Sequence, residues 1–457
     1  MSEEIQVLKQ LPNNGEDASM SNSVAVPAEA PLIVSRDGSL LERLKTAYEN
    51  ALRLSYRPEE QSVLQALDAR SPKLNAWATQ HLKSMSDDIK EALLRTGHSF
   101  GNETKLINTE NGQLGFYPHF VGTALIRRTL KNQCPAEAIS WLEKVMNTTT
   151  AQGSVINLMW GAPVEQEIEI MDGLKIVPFS SLTETQLGPW QQSNANTPIT
   201  SIGGLFSITP PQSALIKSVS ISPFIVNEDE TDQFLDRTDF IKTSEIFNDI
   251  ALAITAIGPR TVISSSKWFV YDDPDLEEAR LFKGHSMQPI EIIPNRPSDE
   301  SLLYAEEAKP LVEAFLSLQG QTLAKTRVAL KRLNQSRRRH NVGDRAVELA
   351  TAFEALLGDN ATTEMTHKIK VRATRLIDGS IEARVRNAAI INKTYSIRSK
   401  LVHTGQVNAD ETETISGQRL HASQIVHEAT LLCAQLIRII ILRRAIPDWA
   451  IFDILEH

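Results

Sequence analysis

Between Asp344 and Ile446, apolar positions recur every three or four residues. Ala346, Leu349, Ala350, Phe353, Leu356 and Leu357 form one stripe, which predicts a helix with Asp344 as its N-cap and Gly358 as its stop. The same spacing predicts helices from about Thr366 to Ile377, Ser380 to His403 and Gly417 to Ile446, with Pro447 ending the last. Upstream, Leu41, Leu44, Tyr48 and Leu52 begin a mostly helical region, Gly97 to Gly122 reads as loops with short strands, and Pro135 opens a further helix.

From about Ser154 to Ile293 the period shortens. Val164 to Ile170 alternates, Asp172-Gly173 is a two-residue turn signal, and Leu174 to Phe179 supplies the returning strand of a hairpin. Leu215 to Ile221 and Val262 to Tyr271 predict further strands, with a helix from Ser244 to Ile257 between them. The expected fold class is α+β: a strand-rich middle followed by a helical C-terminal bundle. Four regions follow: 1–38, polar and aperiodic, expected as a flexible tail; 39–153, mixed and mostly helical; 154–300, strand-rich; and 301–457, helical.

Composition changes this outline little. At 41% hydrophobic and 23% charged, the 457 residues read as an ordinary globular protein. The N-terminus leads no apolar run, and Gln435 and Arg438 interrupt the apolar stretch Leu431 to Leu442, so neither a secretory signal nor a membrane span is expected. Cys134 and Cys433, the two cysteines, are too few for a zinc site, and a reducing, cytoplasmic location is the simplest expectation. His421 and His427 lack the i, i+4 spacing of a helix-borne metal pair, Gly203-Gly204 is not followed by the Lys-Ser/Thr of a phosphate loop, and no metal or cofactor is expected.

Charge changes it more. The net charge is −9, yet residues 327–403 carry 16 basic and 7 acidic side chains, which leaves −18 on the remainder. A basic segment in an acidic chain is the pattern of one region that meets a polyanion. Arg337, Arg338 and Arg339 are the candidate phosphate contacts, or else the solvated end of a helix whose dipole favours cations there. Trp160 and Trp268 stand beside small residues and are read as core or as a stacking platform.

Within the basic segment lies Tyr395-Ser-Ile-Arg398-Ser399-Lys400-Leu-Val-His403-Thr-Gly405. Arginine offers a permanently charged fork for phosphate oxygens, and histidine can move a proton near neutrality. The same Arg-x4-His spacing recurs at Arg280 and His285, but there Gly284, Pro289 and Pro294 argue against a helix that carries the histidine.

The order Asp344-Arg345, Phe353-Glu354-Ala-Leu-Leu, Arg372-Ala-Thr-Arg375-Leu and Tyr395 to Gly405 resembles the HEPN superfamily of helical domains, most closely its Apea-like branch, over about 302 to 446. The resemblance implies a metal-independent endoribonuclease of the toxin, antiviral-defence or stress-effector kind, acting as a homodimer, with Arg398 and His403 catalytic; Ser399 and Lys400 are read as supporting residues, and Glu354 as one that orients Arg398 or His403 or is simply exposed. Ser399 stands where nuclease members often carry Asn, Asp or His, and Gly405 stands where some relatives carry a modifiable tyrosine. RNA, transfer RNA among the candidates, is the implied partner. The N-terminal regions would sense a ligand that the sequence does not identify. The alternative is a non-catalytic module of the same fold that binds RNA, a nucleotide or a partner protein.

Overall fold

A computed structural model describes residues 38–56, 61–68, 72–95, 100, 104–110, 112–196, 211–229, 238–280, 285–287, 301–359 and 364–454. The tail expected over 1–38 lies almost wholly outside them, as do Gly203-Gly204 and Gly284. The architecture is α+β, with antiparallel sheets in the N-terminal and middle regions and a helical C-terminal region.

The first region comprises α1 (Leu40–Arg53), the short pair β1 (Ser55–Tyr56) and β2 (Gln61–Ser62), α2 (Val63–Asp68), α3 (Pro72–Arg95), β3 (Lys105–Thr109), β4 (Gly112–Phe116), α4 (Pro118–Asn132) and α5 (Pro135–Asn147). Ser39 and Glu42 form a reciprocal capping box that starts α1, while prolines at the first position start α4 and α5.

The middle region holds β5 (Ala151–Trp160), β6 (Ile168–Met171), β7 (Leu174–Pro178), α6 (Glu184–Asn196), β8 (Ser213–Ile221), β9 (Ile225–Asn227), α7 (Thr238–Thr255), β10 (Ile263–Tyr271), α8 (Pro274–Ala279) and β11 (His285–Met287). Its six-stranded antiparallel sheet has the order β11-β10-β5-β8-β7-β6, and β9 joins β3 and β4 in a smaller sheet. The Asp172-Gly173 turn forms as expected between β6 and β7. The central strand β5 was not expected. It is buried on both faces from Gly153 to Trp160, so it shows no alternation to read.

One face of this sheet packs Ile156, Leu158, Trp160, Ile216 and Trp268 under Phe179, Leu187 and Trp190. The platform reading of the two tryptophans is thereby corrected. Trp160 is 8% and Trp268 2% exposed, and the Trp268 indole N–H donates to the Gln186 carbonyl at 2.8 Å.

The C-terminal region consists of α9 (Ala305–Leu316), α10 (Gly320–Arg338), α11 (Val342–Leu357), α12 (Met365–Ile377), α13 (Ile381–Thr404), the hairpin β12 (Thr412–Ile415) and β13 (Gln418–His421), α14 (Ala422–Arg443) and α15 (Trp449–Phe452). The hairpin occupies the first residues of the helix expected from Gly417. Positive φ at Ser416 and Gly417 turns the chain there, and His421 with Gln424 caps α14 in a reciprocal box. Asn341, not Asp344, caps α11, its side chain accepting from the Gly343 N–H at 2.7 Å. By length and composition α14 could cross a membrane, but 61% of its most apolar window is buried among its neighbours.

The helical region shares its core with the sheet. Asn334 donates to Thr255 Oγ1 and to the Val262 carbonyl, Arg338 also reaches the Val262 carbonyl, and Arg327 pairs with Asp249. One apolar cluster runs from Leu40 in α1 to Phe452 in α15.

Candidate functional site at the end of α13

Helix α13 begins where Ser380 accepts from the Ala383 N–H, and it stays regular to Thr404. Gly405, at φ +71°, closes it with an N–H to the Leu401 carbonyl at 2.8 Å. Both motif residues therefore lie on unbroken helix. Five residues of α-helix rotate about 140°, so Arg398 and His403 leave α13 in different directions. The frayed last turn that could have brought them together within one chain is absent.

Tyr395 anchors the motif one turn before Arg398. It is 8% exposed, and its hydroxyl donates to the Ala350 carbonyl of α11 at 3.3 Å. Burial first, then the nearby Glu354 carboxylate, pushes that hydroxyl far above the usual phenol range, while Arg398 pulls it back. Glu354 and Arg398 thus act on the Tyr395 hydroxyl in opposite senses. Lys400 pairs with Glu411 and ties the following loop to α13, and Ser399 is exposed with no hydrogen bond among the described residues.

Most cations of this region are bound to carboxylates. Arg332 and Arg339 share the buried Glu348, Arg372 takes Asp359 and Asp453, Arg386 takes Glu428, and Lys393 takes Glu413. Arg398 is half-buried and His403 exposed, and among the described residues neither makes a hydrogen bond or an ion pair.

The ridge expected at Arg337, Arg338 and Arg339 needs correction. Arg339 holds Glu348 through two nitrogens, at 3.1 and 2.9 Å, and Arg338 holds the Val262 carbonyl at 3.0 Å, so both have structural duties. Arg337 lies instead beside Arg345 of α11 and His427 of α14. Burial and then Arg337 lower the Arg345 pKa, and burial, Arg337 and Arg345 lower that of His427. The sequence reading missed these two partners, because Arg345 is hidden in an apolar stripe and His427 in a core-facing helix.

The basic cluster and His403 occupy the same end of the bundle: Gly343, two residues before Arg345, packs directly on Leu401 and Val407, two and four residues from His403. At the other Arg-x4-His, Arg280 is 2% exposed at the end of α8, its guanidinium pairing with Glu110 and donating to the Phe269 carbonyl, while His285 begins β11. Residues 281–284 between those two lie outside the described residues. Among the described residues no group of three His, Cys, Asp or Glu side chains gathers as a metal-ligand set.

No protein-family model, curated protein or solved structure matches this chain. The site therefore has to be judged on its own geometry: an uncommitted guanidinium and an uncommitted imidazole on one helix, in a region where carboxylates engage most of the other cations.

Proposed function

We propose that the chain is an HEPN-like endoribonuclease in which two copies present Arg398 and His403 to one phosphodiester. The observation that carries this reading is that neither side chain makes a hydrogen bond or ion pair among the described residues. Their divergence on α13 makes a partner copy part of the mechanism, since a two-fold pairing gathers two arginines and two histidines in one cleft. Val402, 64% exposed one residue before His403, offers an apolar contact for such a pairing at the motif end of α13.

RNA carries its own nucleophile. One histidine takes the 2′-hydroxyl proton, the 2′-oxygen attacks phosphorus, and the arginine fork holds the charge that builds on the phosphoryl oxygens. The P–O5′ bond then breaks as a second acid delivers a proton to the leaving oxygen. The products are a 2′,3′-cyclic phosphate and a 5′-hydroxyl.

Replacement of His403 by Ala is expected to lower the single-turnover cleavage rate by about 10²- to 10⁴-fold with RNA affinity largely kept, as for loss of a general acid or base. Arg398→Lys should fail as well, because a point charge cannot reproduce a bidentate phosphate contact. His285→Ala should cut like the unaltered protein, RNA 2′-O-methylated at the cut site should resist, and EDTA should have no effect. Full activity in His403→Ala would overturn the mechanism. Tight RNA or nucleotide binding with no cleavage by the unaltered protein would instead favour a binding module, the reading that the divergent side chains of a single copy support.

A further inference from the structure

A large open cleft lies far along the chain from Arg398. A cleft of about 1180 Å³ opens between α3 and α4 on one side and α6 and α8 on the other. That is somewhat above the roughly 300–1,000 Å³ usual for small-molecule sites. Its floor is fixed: Glu277 and Arg280 line it at 2% exposure each, Arg280 bonded to Glu110 at 3.0 Å and Glu277 accepting from the Tyr271 N–H at 3.0 Å.

The α4 wall changes chemistry along its length. At its N-terminal end His119 stacks parallel to Tyr117, with ring centroids 5.9 Å apart, and against Phe120 at 3.8 Å. Both His119 and Phe120 line the cleft, and His119 is exposed. Thr123 follows one turn on and donates to Ser86 of α3, whose hydroxyl donates to the His119 carbonyl at 2.9 Å. Next come Arg127 and Lys131, with Lys83 on α3 about one turn from Ser86. Lys83 and Lys131 are exposed and make no hydrogen bond or ion pair among the described residues.

At 1.5 Å per residue, Arg127 is about 12 Å and Lys131 about 18 Å along the axis from His119. The wall therefore offers aromatic rings, with Phe120 tilted 42° to His119, then hydroxyls, then cations. Glu184, exposed on the opposite wall, adds an acceptor, while Glu278 is taken by Arg128.

We propose that this cleft is a nucleotide site, with the base stacked on His119 and Phe120, the sugar beside Thr123 and the phosphates at Lys83, Arg127 and Lys131. The assignment is independent of the nuclease reading, since it shares no residue with it.

The test is fluorescence titration of the full chain with N-methylanthraniloyl-ATP, displaced by unlabelled ATP, adenosine or tripolyphosphate. Saturable binding at one site per chain is expected, with ATP the best competitor. The exposed-residue variant Lys83→Ala/Lys131→Ala should weaken ATP at least 10-fold with adenosine displacement unchanged. His119→Ala should weaken ATP and adenosine alike and leave tripolyphosphate unaffected. Matching thermal unfolding curves would show that both variants are folded. Absence of saturable binding, or binding that neither variant alters, would overturn the site. Tripolyphosphate competing as well as ATP would overturn the nucleotide assignment.

Discussion

Glu348 shows how one buried side chain redirects the reading of several exposed ones. At 4% exposure its carboxylate receives Arg332 and Arg339 together, so two cations of the basic segment serve the join between α10 and α11. Replacement by Gln keeps the shape and removes the charge. The guanidiniums are more than a third exposed, so the loss should be about 1–2 kcal/mol, below the 3–5 of a fully buried pair, and is measurable as a lower midpoint in urea. Arg339→Ala should cost a similar amount. If Arg339→Ala instead weakens RNA binding and flattens its salt dependence without a change in stability, the phosphate-ridge reading of Arg339 returns.

At the scale of elements, the strongly periodic helices were legible because a stripe that faces a core repeats in the sequence wherever one side of a helix meets solvent. The stripe from Ala346 to Leu357 and the long α13 came out within a few residues of their observed limits. Three features were not legible for the opposite reason. Strand β5 has no solvent face, the turn at Ser416-Gly417 lacks the Asn-Gly or Asp-Gly signature of a tight hairpin, and the convergence of Arg337, Arg345 and His427 depends on how three helices pack.

Gly405 closes the end of α13, and what this closure does for the motif can be tested. Gly405 has open space around its α-carbon, so Ala there meets no clash and bears only the left-handed backbone cost of about 1 kcal/mol. Gly405→Ala should lower thermal stability slightly, and it should lower RNA cleavage more than RNA binding, because His403 stands on the turn that the glycine closes. Unchanged cleavage would show that the orientation of His403 does not depend on this cap.

For the whole molecule, the boundary drawn near residue 301 separates two secondary-structure types and not two cores. Arg260 of the loop before β10 is 1% exposed and donates to the carbonyls of Ser301 and Leu302, and α9 and α10 both pack on α7. The sequence reading predicts that a fragment from Leu302 to His457 is helical and soluble. The shared core predicts that it loses much of its stability, since the sheet-facing sides of α9 and α10 are exposed and Asn334, Arg338 and Arg327 lose Thr255, Val262 and Asp249. Far-UV circular dichroism on heating should show a midpoint well below that of the full chain, which itself should unfold in one transition followed equally by helix and tryptophan signals. A fragment as stable as the full chain would restore the boundary.

The strand order β11-β10-β5-β8-β7-β6 also sets a timetable for synthesis. Strand β5 leaves the ribosome first among these six, yet its hydrogen-bonding neighbours are β8 and β10, and the last of its partners, Tyr271, follows Trp160 by over a hundred residues. At roughly 5–20 residues per second, an apolar strand with both edges open waits on the order of ten seconds for its second neighbour. Its early neighbours in sequence, β6 and β7, can close on each other but not on it. The nascent chain therefore carries an apolar strand with one edge open until β10 is complete. Slowing translation between Trp160 and Tyr271 lengthens that exposure, while slowing it after Tyr271 does not.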